Sequence, residues 1–388
     1  LSGGDGGDRL DGRGGDDTLI GGAGANVLVG GAGDDRIESQ PKAGRTGGGG
    51  VQRNESGYVS DHTIAGLAAG GLVDVWLSRD SLSSTDWKFN ASIGGAATQT
   101  LLTRTATSIA NMSATVIPLT EGKTEQRFLL SWEEWGTTSS NLNYDVKAAV
   151  FKADGTLLSA PVTMHSGMEG QQYDVDSAAA ANGRVLLTWT DWKNPSIAER
   201  SIRAQLVDDT GTRLGADFAI SGSLSGQQSG ASVAALAASD TLKSGGFAVA
   251  WTSVVAGVSE IRLAVLDADA NRKPITVAGT ELSDIAVTTA SGGTGGSVMT
   301  PTVAGLSDGR FVVAWVADDG NTATGREVRV QIFAADGTPQ GSAFSASTPE
   351  SYDRLNVEAV GLEGGGFALT WTIAIGTTAY WIGGQFYD

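Results

Sequence analysis

The chain contains no cysteine and only two histidines among its 388 residues. Without cysteine, neither disulfide bonds nor thiol chemistry is available. The two histidines, His62 and His165, lie far apart in the sequence without an evident serine or metal-ligand partner, so a nucleophilic triad has no support. We expect His165 to be a solvated loop residue.

Long apolar segments and basic residues are also scarce. No run of roughly eighteen apolar residues occurs and the first residues do not form a signal peptide, so we expect no membrane-spanning segment or Sec export signal in this fragment. Lysine and arginine number 26 against 43 aspartates and glutamates, which gives a formal net charge of −17. This balance argues against a nucleic acid partner, because a phosphate backbone needs a basic face.

Glycine, by contrast, is abundant, with 56 residues. Near the amino terminus it follows a nine-residue repeat whose units are GGDGGDRLD, GRGGDDTLI, GGAGANVLV and GGAGDDRIE, from residue 3 to residue 38. The eighth place of each unit is aliphatic, occupied by Leu10, Leu19, Leu28 and Ile37. Leu1 and Ser2 fit the last places of a preceding unit, so we expect the native protein to extend further upstream.

This spacing predicts a turn followed by a short strand in each unit, with two units forming one coil of a parallel β-roll. Glycine permits the positive φ angles of such turns. Alternate units then stack, which places Asp8 over Asn26 and Asp17 over Asp35, among backbone carbonyls. Hard oxygen ligands of this kind suit Ca²⁺ better than zinc or magnesium. The predicted calcium ligands are therefore Asp8, Asp17, Asn26 and Asp35.

The repeat resembles the nonapeptide pattern GGxGxDxUx of the RTX (repeats-in-toxin) family. The resemblance implies calcium binding, export by a type I secretion system and an extracellular location. Asn26 stands where the family has aspartate, so we expect weaker binding on the edge that it shares with Asp8. Four inward aliphatic side chains contribute roughly 1.5–3 kcal/mol each, whereas ordering the backbone costs about 1–2 kcal/mol per residue. Calcium binding is therefore expected to be coupled to folding of this segment.

A second, longer repeat occupies the rest of the chain. Apolar strands that end in tryptophan recur about every 60 residues, at Trp76, Trp132, Trp189, Trp251, Trp315 and Trp371. Each unit divides into four strands separated by turns, with Asp-Gly hairpin signals at Asp154 and Asp336. Six such units predict a six-bladed β-propeller of four-stranded antiparallel blades.

The predicted fold is therefore all-β, with a β-roll at 1–38, a connecting segment at 39–57 and the propeller at 58–388. The sixth unit ends after its third strand, and we predict that residues 51–60 supply its fourth strand, because a ring of blades resists an open edge. The propeller units also resemble repeats that accompany RTX segments in large bacterial surface and adhesin-like proteins.

Two features of the propeller are candidates for function. The first is aromatic: Trp135 and Trp192 lie in polar loops of adjacent units, with Trp87 in another, and planar rings of this kind stack on sugars. The alternative interpretation is that they pack against the blade ends. The second is acidic: Asp174, Asp176 and Asp353 are placed near the channel mouth, although aspartates are also common turn formers.

From these features the sequence favours binding over catalysis. The predicted function is that of a secreted, calcium-binding surface or matrix protein whose propeller binds a glycan or other copies of itself. The alternative is a calcium-assisted enzyme that cleaves a polysaccharide or phosphoester at the propeller mouth.

Overall fold

The computed structural model describes residues 1, 9–11, 18–23, 27–29, 35–40, 58–67, 71–136, 143–166, 170–193, 199–221, 226–277, 280–289, 297–318, 325–347, 352–362, 364–375 and 379–388. Throughout these ranges the chain forms strands and turns, which confirms the predicted all-β class. None of these residues forms a helix long and apolar enough to cross a membrane.

Four short strands make up the nonapeptide repeat region: β1 (Arg9–Asp11), β2 (Thr18–Ala23), β3 (Val27–Val29) and β4 (Asp35–Gln40). β1 pairs with β3 and β2 pairs with β4, both in parallel. Leu10 lies opposite Leu28, and Leu19 lies opposite Ile37. Each unit therefore pairs with the unit after next, which is the register predicted for the β-roll.

Six antiparallel sheets, the blades of the propeller, follow the repeat region. Blade 1 contains β5 (Tyr58–Gly66), β6 (Leu72–Arg79), β7 (Asp86–Ile93) and β8 (Gln99–Thr105). Blade 2 contains β9 (Ser108–Ile117), β10 (Arg127–Trp135), β11 (Tyr144–Lys152) and β12 (Val162–Thr163). Blade 3 contains β13 (Gln171–Ala179), β14 (Val185–Trp192), β15 (Ser201–Val207) and β16 (Phe218–Ala219).

The later blades follow the same plan with one insertion. Blade 4 contains β17 (Gln227–Leu236), β18 (Gly246–Val255), β19 (Val258–Asp267) and β20 (Arg272–Lys273), then a hairpin of β21 (Ile275–Val277) and β22 (Thr280–Leu282), and β23 (Ile285–Thr289), which also pairs with β19. Blade 5 contains β24 (Ser297–Gly305), β25 (Phe311–Asp318), β26 (Glu327–Phe333) and β27 (Pro339–Ser345). Blade 6 contains β28 (Asp353–Gly361), β29 (Phe367–Ile375) and β30 (Ala379–Tyr387).

The tryptophan strands are covered on both faces by neighbouring blades. Successive side chains of a strand point to opposite faces. In β25, one face packs against blade 4 through Phe311, Val313 and Trp315, and the other packs against blade 6 through Val312, Ala314 and Val316. This double burial explains why these strands are continuously apolar in sequence. Buried clusters of this kind join blades 1 and 2, 2 and 3, 3 and 4, 4 and 5, and 5 and 6.

The fourth strand of blade 6 comes from the repeat region. β4 pairs antiparallel with β30, with Ser39 opposite Ile382 and Asp35 opposite Phe386. The prediction that residues 51–60 fill this place is therefore wrong. Tyr58–Ser60 belong to β5, where they are needed to begin the innermost strand of blade 1, and residues 51–57 lie outside the described residues.

Candidate active site in the central channel

The innermost strands of the blades surround the central channel, and each carries a β-bulge. The strands are β5, β9, β13, β17, β24 and β28, and the pairing of each with its neighbour shifts register at one place. A bulge bends a strand and re-aims its side chains. The same structural device therefore recurs around the ring.

The first bulge residue has a left-handed backbone in most of these strands. The φ values are 41° at Asp61, 49° at Asn111, 57° at Asp174, 62° at Gly230 and 51° at Asn356. Only glycine, asparagine and aspartate adopt this conformation readily. The residue type at these positions is thus set by the backbone, and both aspartates of this set, Asp61 and Asp174, line the channel cavity.

The channel holds a cavity of about 530 Å³. Four carboxyl groups line it, those of Asp61, Asp174, Asp176 and Glu358, together with hydroxyl groups that include those of Ser232 and Thr302. No lysine or arginine is among the described residues of this lining. The cavity is therefore acidic, and hydroxyl donors and acceptors lie beside the carboxyls.

Asp176 is held rigidly in blade 3. Its Oδ2 accepts the Val233 backbone N–H of the next blade at 2.9 Å, and its Oδ1 accepts the Ser177 backbone N–H at 2.8 Å. The Ser113 hydroxyl of the preceding blade donates to Oδ1 at 3.3 Å. Burial raises the pKa of Asp176, and these hydrogen bonds oppose that rise by favouring the ionised form.

Glu358 lies on β28 of blade 6, which is diametrically opposite blade 3 in a ring of six. Its side chain is exposed to the channel, whereas the neighbouring Val357 is buried. Partial burial in the channel raises the pKa of Glu358, and the negative charge of Asp176 raises it further. Two carboxyls from facing blades thus share one cavity, and their electrostatic coupling favours a proton on Glu358.

A further carboxyl lies behind the channel wall. Glu133 is only 2% exposed, and its Oε1 accepts the Asn111 side-chain amide at 2.8 Å and the Val175 backbone N–H at 3.3 Å. Burial raises the pKa of Glu133 to about 7. Glu133 therefore holds bulge residues of two adjacent blades in place. It does not belong to the cavity lining itself.

Asp174 connects this region with the cavity. It accepts a hydrogen bond from the Thr190 hydroxyl at 3.2 Å, and burial raises its pKa.

Among the described residues, no three histidine, aspartate or glutamate side chains come together as a metal-binding group. Of the predicted calcium ligands, Asp8, Asp17 and Asn26 lie outside the described residues, and for Asp35 only the backbone is described.

The three tryptophans predicted to bind a ligand have different surroundings. Trp87 is 5% exposed and its indole N–H donates to the Ala106 carbonyl at 3.1 Å. This placement corrects the prediction for Trp87, because a ring enclosed by the core of blades 1 and 2 cannot stack on a sugar.

Trp135 and Trp192 are half-buried and end the second strands of adjacent blades. Trp135 packs edge-on against Tyr144 with ring centroids 4.8 Å apart. The Arg200 guanidinium carbon lies 4.6 Å from the centre of the Trp192 ring. The structure brings both to blade ends but does not place either in the lining of the channel cavity.

Other candidates from the sequence serve the scaffold. Asp353 accepts the Arg326 backbone N–H at 3.1 Å and does not line the cavity. His165 is buried rather than solvated, with Nε2 3.2 Å from Asp145 Oδ1.

Glu358 and Asp61 are carboxyl residues of the channel that were not predicted from the sequence. Their signal is positional: Asp61 aligns with Asp174, the first bulge residue of blade 3, and Glu358 aligns with Asp176, the first residue after that bulge.

Comparisons with known proteins agree with this architecture. Residues 2–37 match the family of RTX calcium-binding nonapeptide repeats, in four copies. No curated protein matches the chain. A solved protein of unknown function from Dyadobacter fermentans is 13% identical, with 87% of this chain and 96% of that chain covered and a TM-score of 0.52. At that identity the likeness shows the fold alone.

Two further similar structures have names that state an activity. One is an α-L-arabinofuranosidase of Fusarium graminearum in complex with arabinobiose, 11% identical, with 86% of this chain and 92% of that chain covered and a TM-score of 0.47. The other is an α-L-arabinanase of Penicillium chrysogenum, 13% identical, with 86% and 93% covered and a TM-score of 0.44.

The main functional prediction from the sequence is corrected by these neighbours. Their names are those of glycoside hydrolases and not of a surface or matrix protein whose propeller serves adhesion or assembly, which is the main prediction from the sequence.

Proposed function

We propose that the chain is a glycoside hydrolase that cleaves a neutral glycan in the central channel. Glu358 is the proton donor and Asp176 is the opposing carboxylate. The observation that carries this proposal is the placement of these two carboxyls on facing blades in one cavity, with the pKa of Glu358 raised by burial and by the charge of Asp176.

Two carboxyl groups suffice for glycoside hydrolysis when their protonation states differ. Glu358 donates its proton to the glycosidic oxygen as the bond from that oxygen to the anomeric carbon breaks. Asp176 stabilises the positive charge that develops on the sugar ring. Water then adds its hydroxyl to the anomeric carbon, and its remaining proton restores Glu358.

The lining of the channel favours a neutral substrate. Its carboxyl groups repel phosphate esters and acidic sugars, and no basic side chain in the part of the lining that the structure describes offsets them. Hydroxyl groups such as those of Ser232 and Thr302 match the hydroxyl groups of a neutral sugar, as do the carboxyl oxygens of Asp61 and Asp174. Of the two substrate classes considered from the sequence, a polysaccharide is therefore supported and a phosphoester is not.

In this proposal calcium has a structural role that is separate from catalysis. The RTX repeats bind calcium, and the proposed ligands are Asp8, Asp17, Asn26 and Asp35, with backbone carbonyls. The register of β1 with β3 and of β2 with β4 fits this assignment, because it stacks the units that carry these residues. The oxygen-only donor set also suits calcium. A secreted location is supported by the RTX repeats.

Trp135 and Trp192 remain proposed glycan contacts outside the cavity. Both are half-buried rings at the ends of adjacent second strands, so part of each surface is open to a sugar. Alanine in place of either is expected to raise KM more than it lowers kcat, because neither ring lies beside the reacting carboxyls.

The test is release of reducing ends from a panel of neutral polysaccharides, arabinan among them, with pectate as an anionic comparison, in buffer containing calcium. The wild type is expected to cleave at least one neutral polymer and not pectate. The Glu358→Gln variant is expected to lose at least about a hundredfold in kcat, the contribution of a general acid. Glu121→Gln, on an exposed turn, is the matched control and is expected to retain full activity.

Tryptophan fluorescence and urea unfolding establish that the variants are folded. Equal activity of Glu358→Gln and the wild type contradicts the assigned role. Absence of cleavage by the wild type across the panel, with calcium present and the fold intact, contradicts the proposed function itself.

A further inference from the structure

We propose that calcium binding to the repeat region closes the propeller ring. The strand that completes blade 6 is the strand of the last calcium-binding repeat, so the calcium site and the closure of the ring share one segment of chain. This inference is independent of the enzymatic proposal and concerns how the ring is held shut.

One continuous sheet carries the connection. Its strand order is β2, β4, β30, β29, β28, so β4 has a repeat strand on one side and blade 6 on the other. On the repeat side, Leu19 lies opposite Ile37 in parallel, and on the blade side, Gly384 lies opposite the same Ile37 in antiparallel. A single three-strand junction thus couples the roll to the propeller.

Among the described residues, the seam between blades 6 and 1 differs from the other five. Buried clusters join the five other pairs of successive blades, whereas none within the described part of the chain joins blade 6 to blade 1. Hydrophobic side chains of the innermost strands near this seam are exposed, with Ile64 at 59% and Val360 at 57%. Within the described residues, apolar packing therefore contributes less to this seam than to the other five.

The sequence of blade 1 also differs from that of the other blades on the face that points toward blade 6. Val73, Val75 and Leu77 of β6 pack against blade 2, so Leu72 and Asp74 point to the opposite face, toward blade 6. In the other blades the position of Asp74, two residues before the tryptophan, is apolar, occupied by Leu130, Leu187, Val249, Val313 and Leu369. Leu72 is 52% exposed, whereas its counterpart Phe128 is fully buried. At the positions of Leu72 and Asp74, blade 1 thus presents a less apolar face to blade 6 than the other blades present to their neighbours, although Trp76 on the same face is only 3% exposed.

The blade side of the junction is also weak without β4. Gly383 and Gly384 lie in the middle of β30, and glycine in a strand interior weakens the strand. A Cβ at Gly383 would lie 2.6 Å from the Trp371 indole nitrogen, so the packing of the blade requires this glycine. Ile382 is 55% exposed, and backbone pairing with β4 is therefore a main support of this edge.

Calcium controls whether β4 is available. The roll buries too little apolar surface to offset the entropy of ordering its glycine-rich turns, so its strands depend on the bound ion. When calcium is removed, β4 loses its pairing with β2. A strand that had partners on both sides then becomes an edge strand, paired only with β30. We expect β4 then to leave β30, which opens the ring between blades 6 and 1.

The experiment is hydrogen exchange of the full chain, with calcium and after chelation by EGTA, read separately on β30 and on β27 (Pro339–Ser345), the fourth strand of blade 5. Chelation is expected to speed the exchange of β30 amides at least about tenfold. Exchange in β27 serves as the internal reference for general unfolding.

A disulfide staple separates closure from calcium binding. Ser39 and Ile382 are directly paired, so Ser39→Cys with Ile382→Cys ties β4 to β30, and the chain has no other cysteine. The control staple, Thr372→Cys with Ile382→Cys, joins two strands within blade 6. The oxidised closure staple is expected to keep β30 protected in EGTA, whereas the control staple is expected to leave the calcium dependence intact.

Either of two results overturns the proposal. One is unchanged β30 exchange in the wild type after chelation that is verified by loss of bound calcium. The other is equal loss of protection in the closure-stapled and control-stapled proteins, which would show that chelation acts elsewhere. Loss of protection in both β27 and β30 that the closure staple prevents supports the proposal, because it shows that the ring depends on its seam.

Discussion

Replacement of Glu133 by glutamine is expected to stabilise the protein at alkaline pH and to leave its stability nearly unchanged at acidic pH. Glu133 is buried between blades 2 and 3, where its Oε1 accepts hydrogen bonds from Asn111 and Val175. Glutamine retains an acceptor oxygen for these bonds but carries no proton that can be lost. The variant therefore isolates the cost of charging this side chain.

The magnitude follows from the pKa. Burial raises the pKa of Glu133 from the ordinary 4.5 to about 7 in the folded protein. As pH rises from 4.5 towards 7, the unfolded chain loses the proton while the folded protein keeps it, so stability falls across this window and the loss is complete above the folded pKa. The difference corresponds to about 3 kcal/mol.

The assay is urea unfolding of the wild type and Glu133→Gln at pH 5 and pH 8, at one fixed calcium concentration. The variant is expected to gain about 2–3 kcal/mol over the wild type at pH 8 relative to their difference at pH 5. A difference between the two proteins that is the same at both pH values would refute the reasoning, because it would show that Glu133 does not titrate between them.

Two further predictions concern the scaffold. Gln228→Ala removes the acceptor at 2.9 Å from the buried Trp251 indole N–H, and we expect a loss of about 1–3 kcal/mol in urea unfolding; an unchanged midpoint would argue against this bond. Gly383→Ala places a methyl group against the Trp371 ring and is expected to cost about 1–3 kcal/mol, whereas Gly66→Ala, which meets no atom within 4 Å, serves as its control; equal midpoints would contradict the packing argument.

Most of the architecture could be predicted from periodicity. The aliphatic residues at every ninth position set the register of the roll, and the tryptophan strands set the number of blades. These patterns are local and recur in every unit, so each unit gives the same evidence of how its strands pack. The closing strand could not be predicted in this way, because β4 already satisfies the repeat pattern and its pairing with β30 depends on long-range geometry.

The channel site was only partly predictable. Asp174 and Asp176 were placed near the channel from their position in the unit, and both line the cavity. Glu358 was missed because exposed glutamates are common and only the bulge preceding it turns its side chain into the channel. The tryptophan prediction failed at Trp87, because a ring near a strand end is as readily buried in a blade interface as exposed in a loop.

The measurement that tests the central claim most directly is the pH dependence of kcat/KM for glycan cleavage by the wild type and by Asp176→Asn. If Glu358 must be protonated and the charge of Asp176 raises its pKa, activity falls on the alkaline side with an apparent pKa above 4.5, and this limb moves to lower pH in the variant. An alkaline limb at the same pH in both proteins would contradict the pairing of these two carboxyls across the channel.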